Sequence, residues 1–163
     1  MQTLWAPWRM EYIKQDKPQG CIFCTYPAQE NDRANLVLGR SLHGFVMLNR
    51  FPYNSGHLMV IPRRHVSELS ALPEAEYDDL QRLLRASVGV LFEVYRPEGM
   101  NVGMNLGRIA GAGIADHLHW HAVPRWGGDT NFMPVIGETK VMVEHLEGAY
   151  DRLRPRFEAL GLA

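Results

Sequence analysis

Residues His117-Leu118-His119-Trp120-His121-Ala122-Val123-Pro124 alternate histidine with apolar side chains. In an extended chain successive side chains point to opposite faces, so His117, His119 and His121 share one face and Leu118, Trp120 and Ala122 share the other. A chain with this stretch needs a sheet whose one side meets a core and whose other side uses three imidazoles. A strand face that is merely solvated carries Lys, Glu or Thr instead. Clustered imidazoles titrate near neutrality, ligate metals and attack phosphorus.

The remaining pattern supplies such a sheet. Residues 35–38, 44–48 and 57–61 read as strands, the last one ended by Pro62. A long helix follows, with Pro73 in its first turn and an apolar stripe of Tyr77, Leu80, Leu84, Val88, Leu91 and Tyr95. Arg96-Pro97-Glu98-Gly99 stops it, and residues 100–106 read as a further strand. Val143, Leu146, Tyr150, Leu153, Phe157 and Leu160 again have helical spacing, with Pro155 expected to kink or shorten that helix. Short connections between strands favour an antiparallel sheet with packed helices, an α+β fold.

A chain of 163 residues with 46% hydrophobic and 21% charged residues reads as one globular domain. Its expected division is an irregular Trp-, Pro- and Arg-rich arm over 1–20, a core over 21–133, and a C-terminal extension and helix over 134–163. A net charge of −1 gives no basic field for a nucleic-acid partner. No run reaches the roughly 20 apolar residues that span a bilayer, so no membrane partner is expected. The N-terminus has no apolar signal-peptide segment, and the expected location is the cytoplasm.

The chain has two cysteines, both in Cys21-Ile22-Phe23-Cys24. The pair is framed by the turn residues Lys17-Pro18-Gln19-Gly20 and Thr25-Tyr26-Pro27 rather than by a strand and a helix. This context favours a metal knuckle over a thioredoxin-like redox site. The loop Gly107-Arg108-Ile109-Ala110-Gly111-Ala112-Gly113-Ile114 suits a phosphate cradle, because glycine lets backbone N–H groups approach an anion. Arg50, Arg63, Arg64, Arg108 and Arg125 are available for a polyphosphate tail.

Residues 117–123 match the His-φ-His-φ-His-φ-φ signature of the histidine-triad superfamily. Leu48-Asn49-Arg50-Phe51-Pro52 with Gly56-His57-Leu58-Met59-Val60-Ile61-Pro62 resembles that family's nucleoside-binding strand pair, and Cys21–Cys24 resembles the zinc knuckle of its metal-bearing members. Leu4-Trp5-Ala6-Pro7-Trp8-Arg9 and Val123-Pro124-Arg125-Trp126 resemble the diadenosine-tetraphosphate hydrolase and phosphorylase-like branch. The resemblance implies a homodimer, for which the stripe over 77–95 is the expected interface, and two nucleotide sites. It also implies attack of the middle histidine on a nucleotide α-phosphorus. His119 suits this role by its own chemistry, since a neutral imidazole is both a good nucleophile and, once protonated, a good leaving group. His121 orients or polarises the site, and by resemblance His57 points into the same pocket.

By resemblance, His65 and His117 complete a structural Cys₂His₂ zinc site with Cys21 and Cys24. A catalytic metal on all three triad histidines is disfavoured, because it would leave the cysteines without a partner and consume the nucleophile. Asn49 is the ribose-binding candidate, since an amide both donates and accepts. By resemblance, Asn105 is the candidate for the family's upstream phosphate-binding amide. Gly113 and Ile114 stand where other members carry a hydroxyl, so a phosphate contact there comes from backbone N–H. Trp126 either stacks on the base or packs at a dimer interface. The expected function is hydrolysis or nucleotidyl transfer on purine nucleotides or dinucleoside polyphosphates through nucleotidyl-His119. The alternatives are phosphorolysis with inorganic phosphate as acceptor, and a purine-nucleotide sensor with negligible turnover.

Overall fold

The computed structural model describes residues 20–129 and 144–162. The N-terminal arm up to residue 19 and the segment 130–143 lie outside the described residues. The described chain is an α+β structure of β1 (Val37–Arg40), β2 (Gly44–Leu48), β3 (Leu58–Pro62), β4 (Gly99–Met104) and β5 (Trp120–Arg125) with four α-helices and two short 3₁₀ turns. The α-helices are the short α1 (Ile22–Thr25) and α2 (Asp32–Asn35), the long α3 (Glu74–Tyr95), and α4 (Leu146–Ala159). The strands form one antiparallel sheet in the order β1-β2-β3-β5-β4.

Strand alternation divides the apolar residues between two faces. Leu38, Val46, Leu48, Leu58, Val60, Trp120 and Ala122 join Leu80, Leu84 and Leu91 of α3 and Leu153 and Phe157 of α4 in the main core. Val37, Phe45, Met47, Met59 and Ile61 face the other way and pack under Phe23 of α1. Helix α3 crosses so close to β2 that a Cβ on Gly44 would lie 2.5 Å from Leu80 Cδ2. Leu80, Leu84 and Leu91 of the expected stripe are therefore consumed by the chain's own core. Leu80, Leu83, Leu84, Ser87, Val90 and Leu91 are buried, while Tyr77 near the helix start is 39% exposed.

Local chemistry moved some boundaries. Residues 35 and 36 were expected in a strand, but Asn35 ends α2 and Leu36 is left-handed at φ 61°. The cause is Asn31, whose side chain accepts from the Ala34 N–H and starts a helical turn before the apolar run can extend. Pro73 sits one position before α3 as its cap, and Arg96, left-handed at φ 45°, ends the helix. Pro155 does not shorten α4, which runs on to Ala159. Leu153 and Phe157 on either side of it are fully buried, and their packing outweighs the lost backbone bond.

The histidine strand starts later than expected. The β3–β5 ladder begins at Val60 opposite Trp120. Before that, the Leu118 N–H donates to the Val66 carbonyl at 2.8 Å, and the His117 side chain takes the Pro62 carbonyl at 2.8 Å. His117 and His119 thus form the lead-in to β5. The alternation of faces persists, because Leu118, Trp120 and Ala122 all lie in the main core.

Candidate active site

His57, His117 and His119 are 0%, 1% and 6% exposed, and all three lie on the sheet face away from the main core. His119 Nδ1 is 2.9 Å from the His117 carbonyl oxygen. A carbonyl only accepts, so Nδ1 carries the proton and Nε2 keeps its lone pair. Burial holds the His119 pKa below the usual histidine value, against the opposing pull of that carbonyl. The ring is therefore neutral and nucleophilic at neutral pH.

A second chain of bonds fixes His121. The backbone N–H of Tyr53 donates to His57 Nδ1 at 3.0 Å, which places the proton of a neutral His57 on Nε2. His57 Nε2 lies 2.9 Å from His121 Nδ1 and donates to it, diagonally across the β3–β5 pair. His121 consequently carries its proton on Nε2, a buried atom with no hydrogen-bond partner among the described residues. Burial first, and the neighbouring His119 second, push the His121 pKa down to about 4. The site thus presents an N–H without a partner beside a ring with a free lone pair. The His119 and His121 centroids are 4.9 Å apart.

The loop before β3 aims His57. The Asn54 carbonyl accepts from the His57 N–H at 3.1 Å, closing a turn with Gly56 at φ +75°. The third turn position tolerates that φ when it is glycine. A Cβ at Gly56 would also lie 2.8 Å from the Tyr95 ring. Two residues of this loop were missed in the sequence, Tyr53 and Asn54. Tyr53 supplies the amide to His57 and holds its ring 4.6 Å from the His57 ring. Asn54 is buried and donates to the Pro124 carbonyl at 3.0 Å and to Asp129 at 2.8 Å. The Pro-x-Asn-x-Gly spacing signals a turn, but no sequence rule reveals where its amides point.

Cys21, Cys24, His65 and His117 come together as expected, with all four ligand atoms within 4.8 Å of one another. Cys21 Sγ and Cys24 Sγ lie 3.3 and 3.6 Å from His117 Nδ1, and Cys24 Sγ lies 3.3 Å from His65 Nδ1. Bonds of zinc length in a tetrahedron put sulfur and nitrogen about 3.5 Å apart, so the donor set fits zinc. His117 Nε2–H is held by the Pro62 carbonyl, which turns Nδ1 toward the cysteines in the manner of an outer-shell partner. Phe23, between the two cysteines, packs edge-on against His117 and tilted against His119.

Asn49 Oδ1 accepts from the Phe51 N–H at 2.9 Å, and its Nδ2 lies 3.5 Å from His57 Nε2, a contact between two donors. Asn105 Nδ2 faces Gly111 in the glycine-rich loop. Gly113 is exposed, and Ile114 packs against the smaller core. Trp126 lies edge-on to Tyr95, 6.4 Å between centroids. Arg50, Arg63, Arg64 and Arg125 are engaged with Ala34, Ser41, Glu76 and Asp129 respectively. Arg108 is exposed, and its guanidinium has no partner among the described residues. No helix of the described residues is long and apolar enough to cross a membrane.

An antiparallel sheet with this histidine arrangement defines a class, and the chain belongs to the HIT domain family, which matches residues 30–128. Over 155 residues the chain is 43% identical to a Mycobacterium tuberculosis protein named AP-4-A phosphorylase, covering 90% of this chain and 79% of that one. A zinc-bound histidine triad family protein from Mycobacterium smegmatis has a similar structure, with a TM-score of 0.68 at 21% identity over 87% of this chain and 96% of that one. A histidine triad nucleotide-binding protein from Sulfolobus tokodaii gives 0.67 at 24% identity over 86% and 93%.

Proposed function

We propose that this protein transfers an adenylyl group from a dinucleoside polyphosphate such as diadenosine tetraphosphate to inorganic phosphate, through a nucleotidyl intermediate on His119. The observation that carries the reading is the His119 ring, whose Nδ1–H rests on the His117 carbonyl and whose Nε2 lone pair has no partner among the described residues. His119 Nε2 attacks an α-phosphorus, the P–N bond forms, and the P–O bond to the β-phosphate breaks with its electron pair leaving on ATP. The positive charge that develops on the imidazole is stabilised through Nδ1–H by the His117 carbonyl. His121 Nε2–H donates to an oxygen of the transferring phosphoryl group, a preorganised donor of the kind that lowers such barriers. A phosphate oxygen then attacks the same phosphorus, the P–N bond breaks, and ADP leaves.

Water in place of phosphate gives AMP. Residue chemistry alone ranks water slightly ahead, and the 43% likeness to a protein named AP-4-A phosphorylase supports phosphate instead. In this reading Asn49 contacts ribose, and Asn105 with the backbone of Gly113 and Ile114 contacts phosphate. Trp126 borders the base. Cys21, Cys24, His65 and His117 hold a structural zinc, which supplies folding free energy and leaves no open position for substrate. The chain acts as a homodimer in the cytoplasm. The outer edge of β4, where Val102 is 49% exposed, supports a partner there better than the buried stripe of α3 does.

The test is incubation with diadenosine tetraphosphate, with and without millimolar phosphate, followed by chromatography. Phosphate-dependent ADP in equal amount to ATP is expected. AMP with ATP, unaffected by phosphate, makes the protein a hydrolase. No turnover at all, with nucleotide still bound, makes it a binding module.

A further inference from the structure

The described residues connect the His57–His121 pair to a buried side chain well outside the histidine cluster. Asn54 is 8% exposed, although its amide is strongly polar. Its Nδ2 donates both to the Pro124 carbonyl at 3.0 Å, near the end of β5, and to Asp129 Oδ2 at 2.8 Å. Asp129 is itself anchored, accepting from Arg125 Nε at 2.7 Å and from the Trp126 N–H at 3.2 Å. At the other end of the same residue, the Asn54 carbonyl accepts from the His57 N–H at 3.1 Å. The residue immediately before it, Tyr53, gives its own N–H to His57 Nδ1 at 3.0 Å. Asn54 therefore ties the loop that controls the His57 ring to the strand that carries His121.

That tie has a chemical consequence. A neutral imidazole bears one proton, and its two nitrogens exchange roles unless something assigns them. The Tyr53 N–H is a donor that cannot become an acceptor, so while it sits on His57 Nδ1 the proton of His57 stays on Nε2. The Asn49 amide nitrogen, 3.5 Å from His57 Nε2, is also a donor and cannot make this assignment. His57 in turn assigns the His121 proton to Nε2. If the Tyr53 amide moves off, both rings can switch, and the His121 nitrogen that faces the buried, unpartnered position becomes an acceptor. Facing a phosphate, an acceptor repels where a donor stabilises.

We propose that Asn54 is a positioning residue of the reaction: by fastening the 53–57 turn to Pro124 and Asp129, it keeps the Tyr53 N–H on His57 and so keeps the proton of His121 on Nε2. This inference rests on the reading that His121 donates to the phosphate bound for His119. It needs no contact between Asn54 and substrate.

The experiment uses the full chain with its metal and reads the ring nitrogens of His57 and His121 by ¹⁵N NMR without substrate, where the two neutral tautomers have distinct shifts. Wild-type protein at neutral pH is expected to show the Nε2–H tautomer at both. Asn54→Ala, which removes the tie, is expected to populate the other tautomer at both rings. It should lower kcat about 10- to 100-fold while KM changes less than about threefold, as for a donor lost from the transition state. Asp129→Ala removes one of the two anchors and is expected to give a smaller change in the same direction. It also serves as the second variant if Asn54→Ala does not fold.

A wild-type His121 protonated on Nδ1 overturns the proposal. So does a variant that keeps both tautomers, or one that changes tautomer with kcat intact. The reading of His119 is tested separately by mass spectrometry of wild-type protein quenched during turnover. If no adenylyl adduct forms on His119, that reading fails, and the tautomers still decide whether Asn54 governs the two rings.

Discussion

Gly56→Ala tests how tightly the turn that aims His57 is built. Gly56 has φ +75°, and an L-residue held there costs about 1–2 kcal/mol. The added Cβ would lie 2.8, 3.1 and 3.2 Å from three atoms of the Tyr95 ring. That ring cannot swing away freely, because its hydroxyl donates to Glu144 at 2.6 Å and Arg152 lies over its face. Overpacking of this kind costs about 1–3 kcal/mol, and loss of unfolded-state freedom offsets about 0.4–1 kcal/mol. The net destabilisation is about 2–4 kcal/mol, which lowers Tm by about 5–15 °C in a chain of this size. Displacement of His57 should also lower kcat at least about tenfold. Gly89→Ala is the matched control. Gly89 is exposed within α3, with nothing within 4 Å of a Cβ, and alanine there should stabilise by up to about 1 kcal/mol. Thermal unfolding by circular dichroism and steady-state turnover read both variants. Equal effects of the two substitutions, or a Gly56→Ala change under about 0.5 kcal/mol, would falsify the reasoning.

His119→Ala should abolish turnover while nucleotide binding by calorimetry persists, since base and ribose contacts do not depend on the nucleophile. Near-normal turnover would exclude His119 as the attacking group. Elemental analysis should find one zinc per chain, and Cys24→Ser or a strong chelator should lower both metal content and Tm. Stability should fall on acidification. His121 has a folded pKa of about 4 against 6.5 ordinarily, so the unfolded chain takes the proton first. Its contribution is complete above about pH 6.5 and disappears as pH drops through 4, an upper bound of about 3 kcal/mol before screening. His121→Asn should flatten that slope in urea unfolding measured at pH 7 and pH 5, and an unchanged slope would assign the effect to other groups. Sedimentation at micromolar concentration should give a dimer, and a charge at Val102 on the β4 edge should weaken it.

Much of the fold is legible because alternation and helical periodicity are strong where burial is complete. Residues 44–48 and the long α3 follow directly from them. The start of β1 is not, because Asn31 captures a backbone N–H and winds the next residues into a turn. The metal cluster is half legible, because the Cys21–Cys24 pair signals a knuckle by itself, whereas His65 and His117 come only from the resemblance to histidine-triad proteins. The direction of the hydrogen bonds among His57, His119 and His121 is not legible, since it depends on a Tyr53 amide and a His117 carbonyl, and backbone groups carry no sequence signature. For Trp126 the sequence leaves stacking on a base and packing at an interface both open, and the structure adds that its ring lies edge-on to Tyr95.

His117 serves two masters at once. Its ring faces Cys21 and Cys24, while its carbonyl holds the Nδ1 proton of His119. One part is side chain and the other is main chain, so a substitution at 117 removes the ring and keeps the carbonyl, whose place is also held by the neighbouring Leu118 N–H on the Val66 carbonyl. Loss of the cysteines would thus leave the alignment of His119 standing on the Pro62 carbonyl and the Leu118–Val66 bond, and the two tasks of this residue are separable.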